Sequence, residues 1–395
     1  MKSILFTSLI IACTASTAQN SWTQKANFGG ERRLGAAGFA IGAKGYIGSG
    51  YANHLDSLLV DFWEWDQASN VWTRKADVPG GARGWAFGFS SASYGFISGG
   101  GDGVAEKTDQ WRYDPLINSW DQKAVMENFS ASQTAGFTIG SKMYVVAGNY
   151  EFWEYDITLD QWTQKKDYPG EAYTGQAGFA IGNKGYIGTG SYGSDYSKDF
   201  WEYDPATDNW VQKADFGGNA RVTAVGFALG NRGYIGTGAA GNSNKYRDFW
   251  EYNPATDKWT QKASFGGTSR WVATGFAIGN KGYIGLGFDN SGDRNDFWEY
   301  TPDTAVTAVP ELLIQNDITV SPNPFTKETT LHSSIQLKNV TISIFNAVGQ
   351  REKEIPGVSG NSILIQRDDL KSGVYFISLT QDNQTFTPVK LVIRD

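Results

Sequence analysis

The chain has 395 residues, a formal net charge of −7 and 19% charged residues, so it has room for two or three domains and offers no basic surface to nucleic acid. Its 48 glycines, 14% aromatics and lack of long helical periodicity point to short strands joined by tight turns. One cysteine, Cys13, and two histidines, His54 and His332, exclude a disulfide framework and a His or Cys/His metal centre, so neither a metal nor a cofactor is expected.

Residues 1–18 carry a charged start, an apolar run and small residues before Gln19. This reads as a secretory signal cleaved after Ala18, because the apolar run is too short to span a bilayer. The alternative is a lipobox, Ile10-Ile11-Ala12-Cys13. Either way the folded protein is exported, and no transmembrane segment is expected in the mature chain.

A repeat follows. One signature is Asp199-Phe200-Trp201-Glu202-Tyr203-Asp204-Pro205-Ala206-Thr207-Asp208, which returns around Phe62, Trp111, Phe152, Phe249 and Phe297. A Trp stands seven residues after the last aromatic in five copies, at Trp72, Trp120, Trp162, Trp210 and Trp259; seven beyond Tyr300 stands Thr307 instead. The unmatched Trp22 lies at the other end of the repeat region. A second signature, seen whole at 178–188 and 275–285, sets the period through Phe39, Phe89, Phe137, Phe179, Phe227 and Phe276, which are 42 to 50 residues apart. A period in this range means a propeller or a solenoid. Each unit reads as four strands: one ending near Phe-Ala-Ile, Gly-Tyr-Ile-Gly, Phe-Trp-Glu-Tyr, and Trp-x-Gln-Lys after an Asp-Pro turn. Four short antiparallel strands per unit make a propeller blade. The sixth unit lacks its last strand, and Ser21 to Lys25 is expected to supply it.

The paired glycines Gly99-Gly100, elsewhere Gly188-Thr189-Gly190, the Tyr, and the Trp seven residues after it resemble kelch repeats, over Ser21 to about Tyr300. Most copies have Gly-x-Gly where kelch has Gly-Gly, so the set is divergent. The resemblance implies an all-β, six-bladed kelch-like β-propeller over 19–301, with the N-terminal strand closing the last blade.

After a linker at 302–316 the aromatics thin out, and 317–395 reads as a small Ig-like β-sandwich. Ser321-Pro322-Asn323-Pro324-Phe325, Asn346-Ala347-Val348-Gly349-Gln350, Leu370-Lys371-Ser372-Gly373-Val374-Tyr375 and Lys390-Leu391-Val392-Ile393 resemble, in that order, the type A C-terminal sorting domain of the type IX secretion system of Bacteroidota. The resemblance implies type IX machinery as a partner through 317–395, and a propeller delivered to the cell surface or the medium.

A feature present in every blade is first of all what the blade needs to fold. The acids Asp61, Asp109, Glu151, Asp199, Asp248 and Asp296 are therefore expected to be hydrogen-bond partners within the sheets. His54 reads as a solvated side chain, and the acidic run from Asp289 to Asp296 as a solvated loop lacking dedicated calcium spacing. Six residues before the first-strand Phe stand Arg33, Arg83, Arg221 and Arg270, with Ala131 and Tyr173 in the other two units. These arginines are expected to ring one mouth of the central channel, beside Trp85, Tyr173 and Trp271. Guanidinium forks bind anions, and aromatic planes stack on sugars. The alternative is that each Arg pins one blade to the next.

Loops between second and third strands vary. The one from Gly148 to Phe152 is cut short, while Tyr51 to Val60 is the longest and partly apolar. A rim high on one side suits an entrance for a ligand. The functional expectation is a secreted or cell-surface binding protein for an anionic glycan or an acidic protein segment. One alternative is a carbohydrate-active, epimerase-like enzyme needing nonrepeated acids such as Asp102, Glu106, Asp195 or Asp293 with raised pKa; another is a purely structural surface protein.

Overall fold

Alternating aromatic and small residues fold each repeat into one antiparallel sheet. In the computed structural model, the chain is described at residues 20–126, 133–172, 174–241, 243–303, 319–346, 351–381, 384–385 and 389–394. The signal segment, most of the linker, Ala131, Tyr173 and 347–350 of one sorting motif lie outside these. Contacts divide the chain into two units, Met1–Val306 and Thr307–Asp395.

The first repeat gives strands Ala37–Ile41, Lys44–Gly48, Phe62–Asp66 and Val71–Lys75, paired in that order. Phe39 faces Tyr46, Tyr46 faces Glu64 and Trp65 faces Trp72. The aromatic ladder of the sequence is thus a ladder of cross-strand pairs. Six such four-stranded sheets form among the described residues, and the only helical elements are the 3-10 turns Asn53–Leu55 and Gly148–Tyr150. The sixth sheet takes Ser21–Gln24 as its outer strand, with Trp22 opposite Tyr300.

Inner strands contact one another in a cycle: Ala37–Ile41 touches Phe87–Ser90, and so on through Gly136–Ile139, Ala177–Ile181 and Val225–Leu229 to Thr274–Ile278, which touches Ala37–Ile41. Glycines on the second strands make this approach close. A Cβ on Gly185 would stand 1.8 Å from the Phe137 ring of the preceding sheet, and on Gly45 it would stand 2.3 Å from Phe276.

The outer rim repeats a second tie. Trp22, Trp72, Trp120, Trp162, Trp210 and Trp259 each donate the indole N–H to a carbonyl of the preceding sheet, at 2.9 to 3.2 Å. Beside each, an Asn or Asp in left-handed conformation, such as Asn70 or Asp208, accepts a backbone N–H from that same sheet. Asn20 does this for Ala263 at 2.9 Å. The N-terminal segment therefore supplies both the missing strand and the missing tie.

In the second unit, Thr319–Ser321, Glu328–Asn346, Arg351–Gln366, Gly373–Gln381, Gln384–Thr385 and Val389–Ile393 join in one six-stranded sheet. A small β-sandwich was expected here. Instead the 19-residue strand Glu328–Asn346 is shared along its length, with register shifts after His332, Leu337, Val340 and Ile344. Leu331, Val340, Ile342, Ile377 and Leu391 meet in a single core.

Candidate functional site

The arginines expected at the channel mouth are completely buried: Arg33, Arg83, Arg221 and Arg270 are each 0% exposed. Arg33 donates through both Nη atoms to Asp61, at 2.6 and 2.7 Å, through Nη1 to the Ser49 carbonyl at 2.9 Å, and through Nε to the Glu31 carbonyl at 2.8 Å. Arg83–Asp109, Arg221–Asp248 and Arg270–Asp296 repeat the fork. Burial pushes these carboxyls up, and the paired guanidinium overrides it and holds Asp61, Asp109, Asp248 and Asp296 below the usual range. With every fork filled from within, no guanidinium face is left for an anionic ligand. The anion site expected at these four arginines is therefore corrected.

Their backbone does the pinning. Gly50, Gly190, Gly238 and Gly287 donate to the carbonyls of Arg83, Arg221, Arg270 and Arg33 in the following sheet, at 2.7 to 2.9 Å. In the fourth repeat, whose Tyr173 lies outside the described residues, Asp199 instead takes Ser197 Oγ at 2.5 Å, Trp201 Nε1 at 2.9 Å and the Glu171 N–H at 2.9 Å.

Two residues beyond each arginine position, a second ring runs round the axis. Gly35, Trp85, Gln133, Gly175, Thr223 and Val272 all have positive φ, from 52° to 66°. Trp85 N donates to Gly35 O at 2.8 Å, Gln133 to Trp85, Gly175 to Gln133, Thr223 to Gly175, and Gly35 to Val272. Val272 N completes the circuit on Thr223 Oγ1 at 3.3 Å. A left-handed Trp or Val costs about 1–3 kcal/mol, and the closed hydrogen-bond ring holds them there.

The mouth inside this ring, lined by Gly35, Trp85, Gln133, Gln176 and Val272 among others, encloses ≈ 120 Å³. That is about four waters' share of volume and well short of the roughly 300 Å³ at which ligand pockets begin. Trp271 is half-buried and backbone-paired with Phe288 in both directions, at 3.0 and 3.1 Å. Its buried indole N–H finds no acceptor among the described residues.

Loops between second and third strands form small ribbons on one face: Tyr51–Ala52 with Ser57–Leu58, Ser191–Tyr192 with Asp195–Tyr196, Ala239–Ala240 with Asn244–Lys245, and Phe288–Asp289 with Gly292–Asp293. The third repeat has only the turn Gly148–Tyr150 there. Between the loops of the first and second repeats lies a groove of ≈ 680 Å³, lined by Tyr51, Asp56, Leu58, Trp85, Asp102 and Lys107 among others. Tyr51 and Trp85 stack with centroids 6.1 Å apart and planes 24° apart. The Tyr51 hydroxyl donates to Asp56 at 2.5 Å. Asp102 accepts the N–H of Val104 and Ala105 at 3.0 and 2.9 Å, with Lys107 at 3.2 Å.

Of the groove's residues, sequence reasoning singled out Trp85, Asp102 and the partly apolar loop that carries Tyr51 and Asp56, but missed Lys107. His54 does more than the sequence suggested. It is exposed, as expected, but it also bridges loops of the first and sixth repeats, with Nδ1 3.1 Å from Asp293, whose side chain is 0% exposed, and Nε2 3.3 Å from Glu31. The acidic run is instead turned inward, with Asp289 bound to Thr268, Ser291 and Arg294. No cluster of metal-ligating side chains occurs among the described residues.

Residues 319–394 match the family described as secretion system C-terminal sorting domain. That domain marks the chain for export through the type IX system to the cell surface or the extracellular space. No helix among the described residues is long and apolar enough to cross a membrane. No curated protein matches the chain. Among solved structures it is similar to that of YjhT, a kelch-type propeller, at 17% identity over 70% of this chain and 97% of that one, with a TM-score of 0.60. At that identity the likeness concerns the fold alone, which is all-β and propeller-like.

Proposed function

We propose that the first unit is a six-bladed propeller of the kelch type. On this reading the type IX machinery delivers it outside the cell, where it works as a binding protein that takes its ligand on the face bearing the ribbon loops. One observation carries the binding role: the groove of ≈ 680 Å³ between two of those loops, with its stacked aromatic pair. Its size falls within the range of small-ligand pockets. The cyclic inner-strand contacts and the likeness to YjhT support the fold; the sorting domain supports the route.

An epimerase-like enzyme would need a protonated acid on this face. Asp102 is held down to about 2 by the N–H groups of Ala105 and Val104 and by Lys107, so near neutrality it accepts hydrogen bonds and does not deliver protons.

The test compares the full chain with one lacking 319–394 in a type IX-competent bacterium, and then applies the exported product to arrays of glycans and proteins. The full chain should reach the outer surface or medium and retain at least one ligand class, while the shortened chain stays in the periplasm. Export of both chains would overturn the route, and retention of nothing on any array would overturn the binding role.

A further inference from the structure

We propose that the groove between 51–58 and 102–107 is a subsite for a neutral glycan, in which a pyranose ring lies on the Tyr51–Trp85 platform and its hydroxyls donate to Asp56 and Asp102. This deepens the binding reading above and rests on it.

The platform is not part of the repeat. The backbone bridges Leu34–Tyr51, Gly84–Gly101, Thr174–Ser191, Val222–Ala239 and Trp271–Phe288 align Tyr51 with Gly101, Ser191, Ala239 and Phe288. Trp85 aligns in the same way with Gly35, Gln133, Gly175, Thr223 and Val272. Glycine serves both positions elsewhere in the molecule, so folding asks for neither aromatic. Trp85 sits at φ 56°, a conformation glycine adopts freely, and two of the six aligned residues are glycine. The fold therefore does not require an indole at this position.

The platform is also held in place. Trp85 is held on both sides by the backbone ring, and the Tyr51 ring is fixed by its hydroxyl bond to Asp56. The Trp85 indole is half-buried, and its N–H has no acceptor among the described residues. A fixed aromatic plane with one free donor at its edge suits a sugar, which offers a C–H face to stack and hydroxyls that both give and take hydrogen bonds.

The groove has two carboxylates, Asp56 and Asp102, against one ammonium, Lys107, so it holds no net positive charge to draw an anion. Asp102 is compensated by Lys107 and by two backbone N–H groups, which leaves little field to draw a cation. Oriented carboxylate oxygens with lone pairs to spare favour neutral hydroxyl donors.

The test titrates the full-length protein with cellohexaose, laminarihexaose and xylohexaose as neutral probes, with oligogalacturonate as the anion and oligolysine as the cation. Tryptophan fluorescence and calorimetry provide the readouts. At least one neutral oligosaccharide should quench fluorescence and bind. Trp85→Gly, which relieves the strained φ and therefore folds, should weaken that binding tenfold or more, and Tyr51→Ala should weaken it similarly. Neutral binding unchanged in Trp85→Gly would remove the sugar from this groove while the binding reading stands. Preference for oligogalacturonate or oligolysine would overturn the ligand class. Silence with all probes, when the arrays retain another ligand, would overturn the groove assignment alone.

Discussion

Each buried arginine shows how a charge is kept inside a β-structure. The fork meets a carboxylate just before a strand, 26 to 28 residues further on, and a carbonyl 16 residues on, and Nε meets a third carbonyl two residues back, so at least four of the five N–H donors are matched. Removing one partner strands the other, at about 3 kcal/mol for a buried pair. Arg270→Ala is accordingly expected to lower stability by about that amount in urea unfolding, and Arg270→Lys to recover only part of it, since an ammonium cannot form the fork. The pH dependence follows from sign. The four aspartates titrate lower in the folded chain than the ordinary 3.8, so their contribution is whole above that value and drains away as pH falls through the folded pKa values. Burial, aided by Glu64, Glu202 and Glu251, drives the phenols of Tyr46, Tyr186 and Tyr234 well above 10.0. Their contribution is whole below 10.0 and is lost as pH rises beyond it. The urea midpoint should therefore be level between the two limits and fall on both sides, with a shallower acid limb in Arg270→Ala. These arginines stood out in the sequence, but their spacing gave no side-chain direction, and the expected open channel mouth suggested a ligand. A usable signal was the pairing of Arg33, Arg221 and Arg270 with Phe28, Phe216 and Phe265, whose rings lie 4.8 to 4.9 Å from the guanidinium carbons. Where the Arg is replaced by Tyr173, that Phe is replaced by Tyr168.

At the scale of elements, strands with strong period and turn chemistry were readable, and elements of two residues were not. Phe200–Asp204 and its relatives were legible because aromatic alternation and an Asp-Pro turn leave one pairing register. Ribbons such as Ser191–Tyr192 with Asp195–Tyr196 carry no period at all, so the groove's outline was invisible even though the unequal loop lengths were plain. Glycine in the second strand was legible as a repeat but not as a socket. In five sheets it receives a Phe from the preceding sheet, while the third has Met143 there. The Met143 site has rearranged: Phe89 lies 4.6 Å and 6° from Phe96, against 5.2 to 5.9 Å and 21° to 33° for the equivalent pairs elsewhere. A single methyl without that rearrangement has nowhere to go. Gly185→Ala, whose Cβ would meet Phe137 at 1.8 Å, should cost about 1–3 kcal/mol through overpacking, read as a lower melting temperature with an unchanged sheet signal in circular dichroism.

For the first unit as a whole, the question is what closes the cycle of sheets. Five sheets take all four strands from one run of chain, and the sixth takes its outer strand from the opposite end of the unit. That strand brings four backbone pairs, the Asn20 contacts to Ala263 and Tyr300, and Trp22 against Phe249, Phe265 and Tyr300 at 5.0 to 5.1 Å. Truncating a large aromatic in such a cluster costs about 3–5 kcal/mol, a large share of the roughly 5–15 kcal/mol that holds a domain together. Without the strand, Phe297–Thr301 also becomes an open edge with unpaired N–H and C=O groups, a template for pairing between chains. Deleting Asn20 to Gln24 should therefore do more than soften one sheet: because every sheet leans on the next, the loss is shared round the cycle. The deleted chain is expected to elute from size exclusion as aggregate, and Trp22→Ala as a monomer with a markedly lower urea midpoint. A deletion variant that stays monomeric and melts at the parent temperature would mean that the cycle of sheets holds without its N-terminal strand.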